Sequence, residues 1–287
     1  MKEKLGTYTV IDLPPARREV PNLLELYWWK HSVYGFLEVD VTQARQFIEE
    51  HKTRTGEGLS FTGYLAFCLA RAVDDDKQVQ AYLKGRKQLI LFDNVDVGLT
   101  IERQMGETRA PMGYIIRRAN HKTYIEIHQE IRAVQARPAP SSKGMAPWLR
   151  FAMTLPWPLP KLFGALLRTL MRRDPRISVA QMGTVGMTSV GMFGRGSFWG
   201  LTPPMHSLFL IVGSITRKPA VVNGKIEPRE ILNLTVAFDH DIVDGAPAAR
   251  FGRRLVELIE SGYGLEEDMP MPIVVTESAK QPAAVMA

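Results

Sequence analysis

The 287-residue sequence has one cysteine, no apolar stretch long enough to span a membrane and no apolar signal core near its start. A single cysteine excludes a disulfide within the chain and is typical of a reducing compartment. A membrane-spanning helix needs about 20 apolar residues, and residues 1–6 are largely charged or polar instead. These absences predict a cytoplasmic protein.

The sequence also lacks histidine, cysteine and carboxylate residues in the spacing that a metal site requires. Cys68 lies in an apolar run that Ser60 would cap as a helix, so we expect core packing rather than nucleophilic duty. Five histidines stand without the cysteine or carboxylate spacing of a metal site, namely His31, His51, His121, His128 and His206. No metal is predicted.

The charge balance does not identify a nucleic-acid binder. The net charge is +6 and the pI is about 9.4, but the basic residues are dispersed and no nucleic-acid-binding module is found. An anionic small molecule, a membrane surface or solubility accounts for the excess equally well. With 45% hydrophobic and 23% charged residues, the chain can bury one large core or two modest ones.

Hydrophobic periodicity predicts alternating strands and helices, hence an α/β fold with a mixed sheet covered by helices. Asn223-Gly224 predicts a hairpin turn, and Thr123 with Glu126 predicts a capping box. Strands are predicted at 33–39, 88–92, 95–101, 185–188, 208–215 and 231–238, and helices begin near residues 42, 60, 123 and 246.

One turn has the layout of a reactive site. His240 follows the predicted strand 231–238, and Asp244-Gly245 leads into a helix that Gly262 would end. A loop held between two rigid elements positions a general base well. For a histidine taken alone, satisfying a buried turn is the commoner role.

The turn resembles a family signature. Residues 239–245 read Asp-His-Asp-Ile-Val-Asp-Gly, similar to the Asp-His-Arg-x-x-Asp-Gly of the catalytic domains of 2-oxoacid dehydrogenase acyltransferases and the His-His-x-x-x-Asp-Gly of chloramphenicol acetyltransferase. Residues 183–191 resemble the family's Gly-Thr-Phe-Thr-Ile-Ser/Thr-Asn-Leu-Gly. Shorter matches lie at 13–18, 39–42, 59–62 and 95–98. The resemblance covers nearly the whole chain except 138–180 and implies a chloramphenicol-acetyltransferase-like sandwich.

The resemblance implies roles for five residues. His240 would be the general base for the thiol of coenzyme A. A thiol has a pKa of about 8.5 and an imidazole a pKa of about 6.5, so a neutral imidazole can take the thiol proton. Thr188 stands where the family places an oxyanion donor; a strand threonine that bonds the backbone is the alternative. Asp244 would pair with Arg17 and, with Gly245, hold the histidine loop in shape; alternatively Asp244 only supports the turn.

The sequence departs from the family pattern beside the proposed base. Asp241 stands where the family usually has arginine, and a carboxylate close to the imidazole would favour its charged form. Val185 and Gly186 replace bulkier or hydroxylic residues. Two functions therefore stay open: a CoA-dependent acyltransferase acting between a dihydrolipoyl-type thiol and coenzyme A, or a catalytically weakened oligomeric scaffold or shell protein.

The resemblance also implies an organisation. We expect one catalytic core over residues 1–264, a flexible tail at 265–287 and no lipoyl or subunit-binding domain, so a lipoyl group would come from another chain, such as a dehydrogenase-complex partner. The family implies homotrimers whose active sites lie at subunit boundaries. Association of trimers into a larger hollow assembly stays open.

Residues 137–180 form a divergent insertion. A Pro/Ser-rich stretch precedes an amphipathic segment at 161–173 with leucines on one side and Lys161, Arg168, Arg172 and Arg173 on the other. This stripe would pack against a neighbouring subunit, join the chain's own core or lie on an anionic membrane. Subunit packing is favoured over membrane contact.

Overall fold

The computed structural model describes residues 8–12, 20–25, 27, 30–85, 87–105, 108–137, 159–191, 196–203 and 205–265. Helices and strands alternate along these residues. The helices are α1 (Val20–Glu25), α2 (Thr42–Thr55), α3 (Phe61–Asp75), α4 (Tyr124–Ala136), α5 (Leu159–Arg173), α6 (Arg176–Met182) and α7 (Gly245–Glu260). The strands are β1 (Ser32–Asp40), β2 (Tyr82–Lys84), β3 (Gln88–Ile90), β4 (Val97–Met105), β5 (Thr108–Ile116), β6 (Val185–Ser189), β7 (Leu208–Val222) and β8 (Lys225–Asp239).

Six strands form one mixed sheet in the order β1-β8-β7-β6-β4-β5. The β7–β6 and β6–β4 pairs are parallel, and the β1–β8, β8–β7 and β4–β5 pairs are antiparallel. The predicted mixed sheet with helices packed on it is therefore confirmed. β2 and β3 pair separately as a small hairpin.

One face of the sheet packs against α3, α4 and α7. Alternate residues of a strand point to opposite faces, and Leu232, Leu234, Val236 and Phe238 of β8 belong to the main core on the helical side. Cys68 lies fully buried in α3, as predicted, and burial raises the pKa of its thiol to about 12. The thiol therefore stays protonated and has no nucleophilic character near neutral pH.

The opposite face of β1, β7 and β8 is covered by the loop segment 196–203. The hydroxyl of Tyr34 on β1 donates a hydrogen bond to the carbonyl of Thr202 at 3.0 Å, and Trp199 packs edge-to-face on Phe36 with ring centroids 6.5 Å apart. Beneath this segment lie Phe209 and Ile211 of β7. The sheet is thus covered by helices on one side and by this segment on part of the other.

The predicted local signals are found in the structure. Ser60 accepts a hydrogen bond from the backbone of Gly63 as the N-cap of α3, and Thr123 and Glu126 form the capping box of α4. Asn223 and Gly224 have positive φ values of 50° and 79°, as a tight hairpin between β7 and β8 requires. Both strands of this hairpin extend beyond the predicted limits.

Strand β5 was not predicted, and β3 is shorter than the predicted strand 88–92. Pro111 lies in the middle of β5, opposite Glu102 of β4. A proline cannot donate to a strand ladder, so its presence argues against a strand except at an edge. β5 is the last strand of the sheet, which explains both why Pro111 is tolerated and why the sequence pattern missed the strand.

The amphipathic segment predicted at 161–173 forms α5. Within the described parts of the chain, no helix combines the length and apolar character needed to cross a bilayer. The tail predicted from residue 265 onward lies outside the described residues except for Leu265, so its flexibility stays a prediction.

Candidate active site

The turn that carries His240 is built on the end of β8. Asp239 ends this strand, and its carbonyl accepts hydrogen bonds from the backbone N–H groups of Ile242 and Val243, both at 3.0 Å. The backbone N–H of His240 donates to the carbonyl of His31 at 2.7 Å. Val243 is buried, and α7 begins two residues later. His240 is therefore held between a strand and a helix, as predicted.

A buried ion pair lies directly beneath this turn. Lys30 Nζ contacts Asp239 Oδ2 at 2.7 Å, and both side chains are almost completely buried. Lys30 also donates to Ser207 Oγ at 3.3 Å, while Asp239 Oδ1 accepts from the backbone of Asp241 at 3.2 Å. Desolvation lowers the pKa of Lys30, against the opposing attraction of Asp239. The pair ties the segment before β1 to the base of the histidine turn.

The sequence analysis missed Lys30, since no motif surrounds it. Its position follows from the antiparallel register of β1 and β8, in which Ser32 lies opposite Asp239. Only knowledge of that pairing would have placed a lysine two residues before Ser32 beside the Asp-His signature.

The His240 ring is accessible from solvent, with 45% of its side chain exposed. Its Nδ1 atom lies 3.8 Å from Asp244 Oδ1, which is longer than a hydrogen bond but close enough for a favourable charge interaction. This arrangement leaves Nε2 on the side of the ring away from Asp244.

Asp244 is exposed in the single chain, where 86% of its side chain is accessible to solvent. Asp244 occupies the N-cap position of α7 but makes no side-chain capping bond. Its expected partner Arg17 lies outside the described residues, so that pairing stays a prediction. Gly245 has open space where a side chain would begin and gives no steric reason for glycine within one chain.

Asp241, the departure from the family signature, contacts another residue than the proposed base. Its carboxylate lies 3.0 Å from Nδ1 of His31. The His31 side chain is strongly exposed, so this contact is a surface interaction of small energetic value. The Asp241 carboxylate therefore contacts the ring of His31 and not the ring of His240.

Thr188 lies on β6, away from the His240 turn of the same chain. It pairs with Ile211 of β7, which in turn pairs with Thr235 of β8. Thr235 precedes Asp239 by four residues, which is about 13 Å along a strand, and two strand spacings add about 10 Å across the sheet. Thr188 and the start of the histidine turn are therefore about 16 Å apart in one chain.

Two rings explain the glycine at position 186. A Cβ atom on Gly186 would lie 2.4 Å from the ring of Phe209 and 2.6 Å from His206 Nδ1. Glycine lets both rings approach the backbone of β6 this closely. The replacement of a bulkier family residue by Gly186 therefore has a packing cause in this chain.

His206 is a buried neutral histidine beside the site. Its Nε2 lies 3.1 Å from the carbonyl of Met182, while the buried Nδ1 has no hydrogen-bond partner. With Nε2 donating, Nδ1 carries the lone pair. Burial lowers the pKa of His206 to about 4, with a smaller contribution from the charge of Lys30.

We expect His206 to make the fold sensitive to acid. Between about pH 6.5 and pH 4 the unfolded chain binds a proton at this residue and the folded chain does not, so folding stability falls as the pH falls through this window. The loss approaches about 3 kcal/mol at pH 4. Urea unfolding at pH 7 and pH 4.5 measures it. His206→Gln keeps an N–H for Met182 but does not titrate, and it should reduce the difference; an unchanged difference would contradict the assignment.

A groove beside α2 lies far from this turn. A groove of about 490 Å³ is lined by residues that include Arg45, Phe61, Arg217 and Glu230. Glu230 stands nine positions before Asp239 on β8, about 30 Å along the strand. The groove is therefore not part of a site built around His240.

The comparisons with known proteins agree with the signature. A family model described as 2-oxoacid dehydrogenases acyltransferase (catalytic domain) matches residues 6–142 and 169–265. The succinyltransferase component of the 2-oxoglutarate dehydrogenase complex of Staphylococcus epidermidis is 25% identical over 248 residues, covering 84% of this chain and 50% of that protein. The chain spans half or less of the length of the curated relatives it first matches.

Solved structures show the same fold. The cubic core of a pyruvate dehydrogenase multienzyme complex and the dihydrolipoamide acetyltransferase of Azotobacter vinelandii each superpose with a TM-score of 0.62 at 19% identity. Each alignment covers 88% of this chain and 93% of the other chain. At this identity the likeness establishes the architecture and leaves the chemistry to be argued from the residues.

Proposed function

Because the chain belongs to the 2-oxoacid dehydrogenase acyltransferase family, matching its catalytic-domain model over most of its length, we propose that it transfers an acyl group between coenzyme A and a dihydrolipoyl-type thiol. The observation that carries the proposal is His240, an accessible imidazole fixed by backbone bonds in an Asp-His-x-x-x-Asp-Gly turn.

The residues support a balanced reaction. Nε2 of His240 removes the proton of the attacking thiol, and the sulfur forms a bond to the thioester carbonyl carbon. The negative oxygen that develops in the tetrahedral intermediate accepts a hydrogen bond from Thr188. When the intermediate collapses, the carbon–sulfur bond of the original thioester breaks and the leaving thiolate recovers the proton from the imidazolium.

Because about 16 Å separates Thr188 from the start of the histidine turn in one chain, we infer that the His240 and Thr188 of one site come from two copies of the chain. The A. vinelandii acetyltransferase was studied for the role of a serine, a histidine and an asparagine in its catalytic mechanism. In that protein the serine precedes and the asparagine follows the histidine by the same spacing as Thr188 and Asp244 do here. This spacing supports Thr188, His240 and Asp244 as the corresponding residues of this chain.

Assembly follows from the same argument. A closed ring of three copies would form three equivalent sites, each with His240 from one copy and Thr188 from its neighbour. One structural relative is the cubic core of a dehydrogenase complex, which supports oligomeric assembly of this chain. The exposed carboxylate of Asp244 would then lie at a boundary between copies.

The direct test is acyl transfer from acetyl-CoA or a longer acyl-CoA to dihydrolipoamide. We expect the protein to form acyl-dihydrolipoamide above the uncatalysed rate for at least one chain length. A native oligomer without transfer for any donor would favour the scaffold instead.

Asp241 provides an internal check on this proposal. Because its carboxylate contacts the exposed His31 rather than the proposed base, Asp241→Asn should change kcat/KM by less than about tenfold. Steady-state kinetics with dihydrolipoamide measures the change. A gain of about 100-fold or more would instead identify Asp241 as the residue that weakens catalysis in this chain.

A further inference from the structure

Helix α5 exposes an unusual number of large apolar side chains. Leu162, Leu166 and Leu170 recur every fourth residue and therefore lie on one face of the helix. Their exposures are 62%, 56% and 43%. The structure thus excludes these leucines from the chain's own core, one of the roles considered for them from the sequence.

The opposite face of the same helix is occupied. Met171 lines a small cavity together with Tyr82, Lys30 and Pro175, and the carbonyl of Arg172 accepts a hydrogen bond from the backbone of Gly85 at 3.2 Å. These contacts hold α5 against the β2–β3 hairpin. The leucine face points outward while the helix itself is anchored.

Positively charged side chains are concentrated near the C-terminal end of α5. Arg172 and Arg173 are exposed in the last turn of α5, and Lys84 and Lys87 are exposed on the adjoining β2–β3 hairpin. Asp174 is the first acidic residue after the helix, and its carboxylate already contacts Arg176 at 2.7 Å. Exposed basic residues from two separate elements therefore lie near the C-terminal end of α5.

The sequence around α5 has the same charge bias. Residues 131–173 contain eight lysines and arginines and no aspartate or glutamate. The whole chain has 36 basic and 30 acidic residues, so this stretch alone accounts for its positive excess. The family model leaves 143–168 unmatched, and four of the eight basic residues lie in this unmatched part.

From this combination we propose that α5 docks on the surface of a membrane containing anionic phospholipids. The leucine face would enter the boundary between headgroups and acyl chains, and Arg172, Arg173, Lys84 and Lys87 would contact lipid phosphates. A second copy of α5 fits less well, because two such helices side by side would bring like charges together. The proposal is independent of the acyl-transfer activity.

Vesicle co-sedimentation of the full chain tests the proposal. We expect binding to vesicles of phosphatidylcholine with phosphatidylglycerol at low salt, and at least about tenfold weaker binding to phosphatidylcholine alone. Salt at about 0.5 M should weaken the binding to the anionic vesicles, since surface charges are screened. Absence of binding to anionic vesicles at low salt would overturn the proposal.

Two matched double variants distinguish vesicle binding through the leucine face of α5 from binding through any exposed apolar residue. Leu162→Ser with Leu166→Ser should weaken anionic vesicle binding by at least about tenfold. Val221→Ser with Ile226→Ser removes two apolar residues of the β7–β8 hairpin that are even more exposed than the leucines, and it should leave binding unchanged. Equal effects of the two pairs would contradict docking through α5.

The mass of the native particle distinguishes membrane docking from packing of the leucine face between two copies of the chain. The Leu162→Ser/Leu166→Ser variant should keep the native mass and the circular dichroism of the wild type, because these side chains are solvent-exposed. A smaller particle would show that the leucine face packs between copies of the chain, and that result would overturn the membrane proposal.

Discussion

Replacing His240 by alanine is expected to lower kcat/KM for acyl transfer to dihydrolipoamide by about 100- to 10,000-fold. The variant loses the imidazole that takes the thiol proton, which is exposed and lies 3.8 Å from the Asp244 carboxylate. Folding should be little affected, because the His240 side chain is half-exposed and its anchoring hydrogen bonds come from the backbone. Steady-state kinetics with acetyl-CoA measures the loss.

His31→Ala is the matched control for this variant. His31 is an exposed histidine next to the same turn, and its ring contacts Asp241. Its removal should change kcat/KM by no more than a few-fold, since the carbonyl that holds His240 belongs to the backbone and remains. Equal losses in both variants, or no loss in His240→Ala, would contradict the role of His240 as the base.

Replacing Lys30 by methionine is expected to lower the free energy of unfolding by about 3–5 kcal/mol. The variant leaves the Asp239 carboxylate buried without its counter-charge, while Asp239 still has to hold the backbone of Asp241. Methionine fills a similar volume, so the loss reports the uncompensated charge rather than a cavity. Urea unfolding at pH 7 measures it.

The double variant Lys30→Met/Asp239→Asn completes this test. Since burial lowers the pKa of Lys30 in spite of Asp239, desolvation outweighs the attraction between the two charges. Removing both charges should therefore restore most of the lost stability. A double variant that is as unstable as the sum of the two single variants would contradict a coupled pair beneath the histidine turn.

Local signals along the sequence predicted most of the fold. The strand pattern of 231–238, the caps at Ser60 and Thr123 and the turn at Asn223-Gly224 each depend on neighbouring residues, and each is found in the structure. β5 escaped prediction because Pro111 is acceptable only at a sheet edge. Edge position is a property of the assembled sheet and has no local signature.

The site was predictable only in part for the same reason. The Asp-His signature located His240 on a turn between a strand and a helix. The partner of Asp239 depends on the pairing of β1 with β8, which placed Lys30 beneath the turn. The distance between Thr188 and His240 depends on the register of three strands, and the exposure of Asp244 depends on what covers the turn. Sequence spacing encodes none of these three.

The most direct test of the central claim, one site shared by two copies of the chain, is complementation between two inactive variants. His240→Ala and Thr188→Val would be co-expressed with different tags, and particles carrying both tags would be isolated and assayed for acyl transfer. In a ring of three that carries both tags, about a third of the sites combine an intact His240 with an intact Thr188 from the neighbour, so activity should rise well above that of either variant alone. Mixed particles no more active than the separate variants would contradict the shared site.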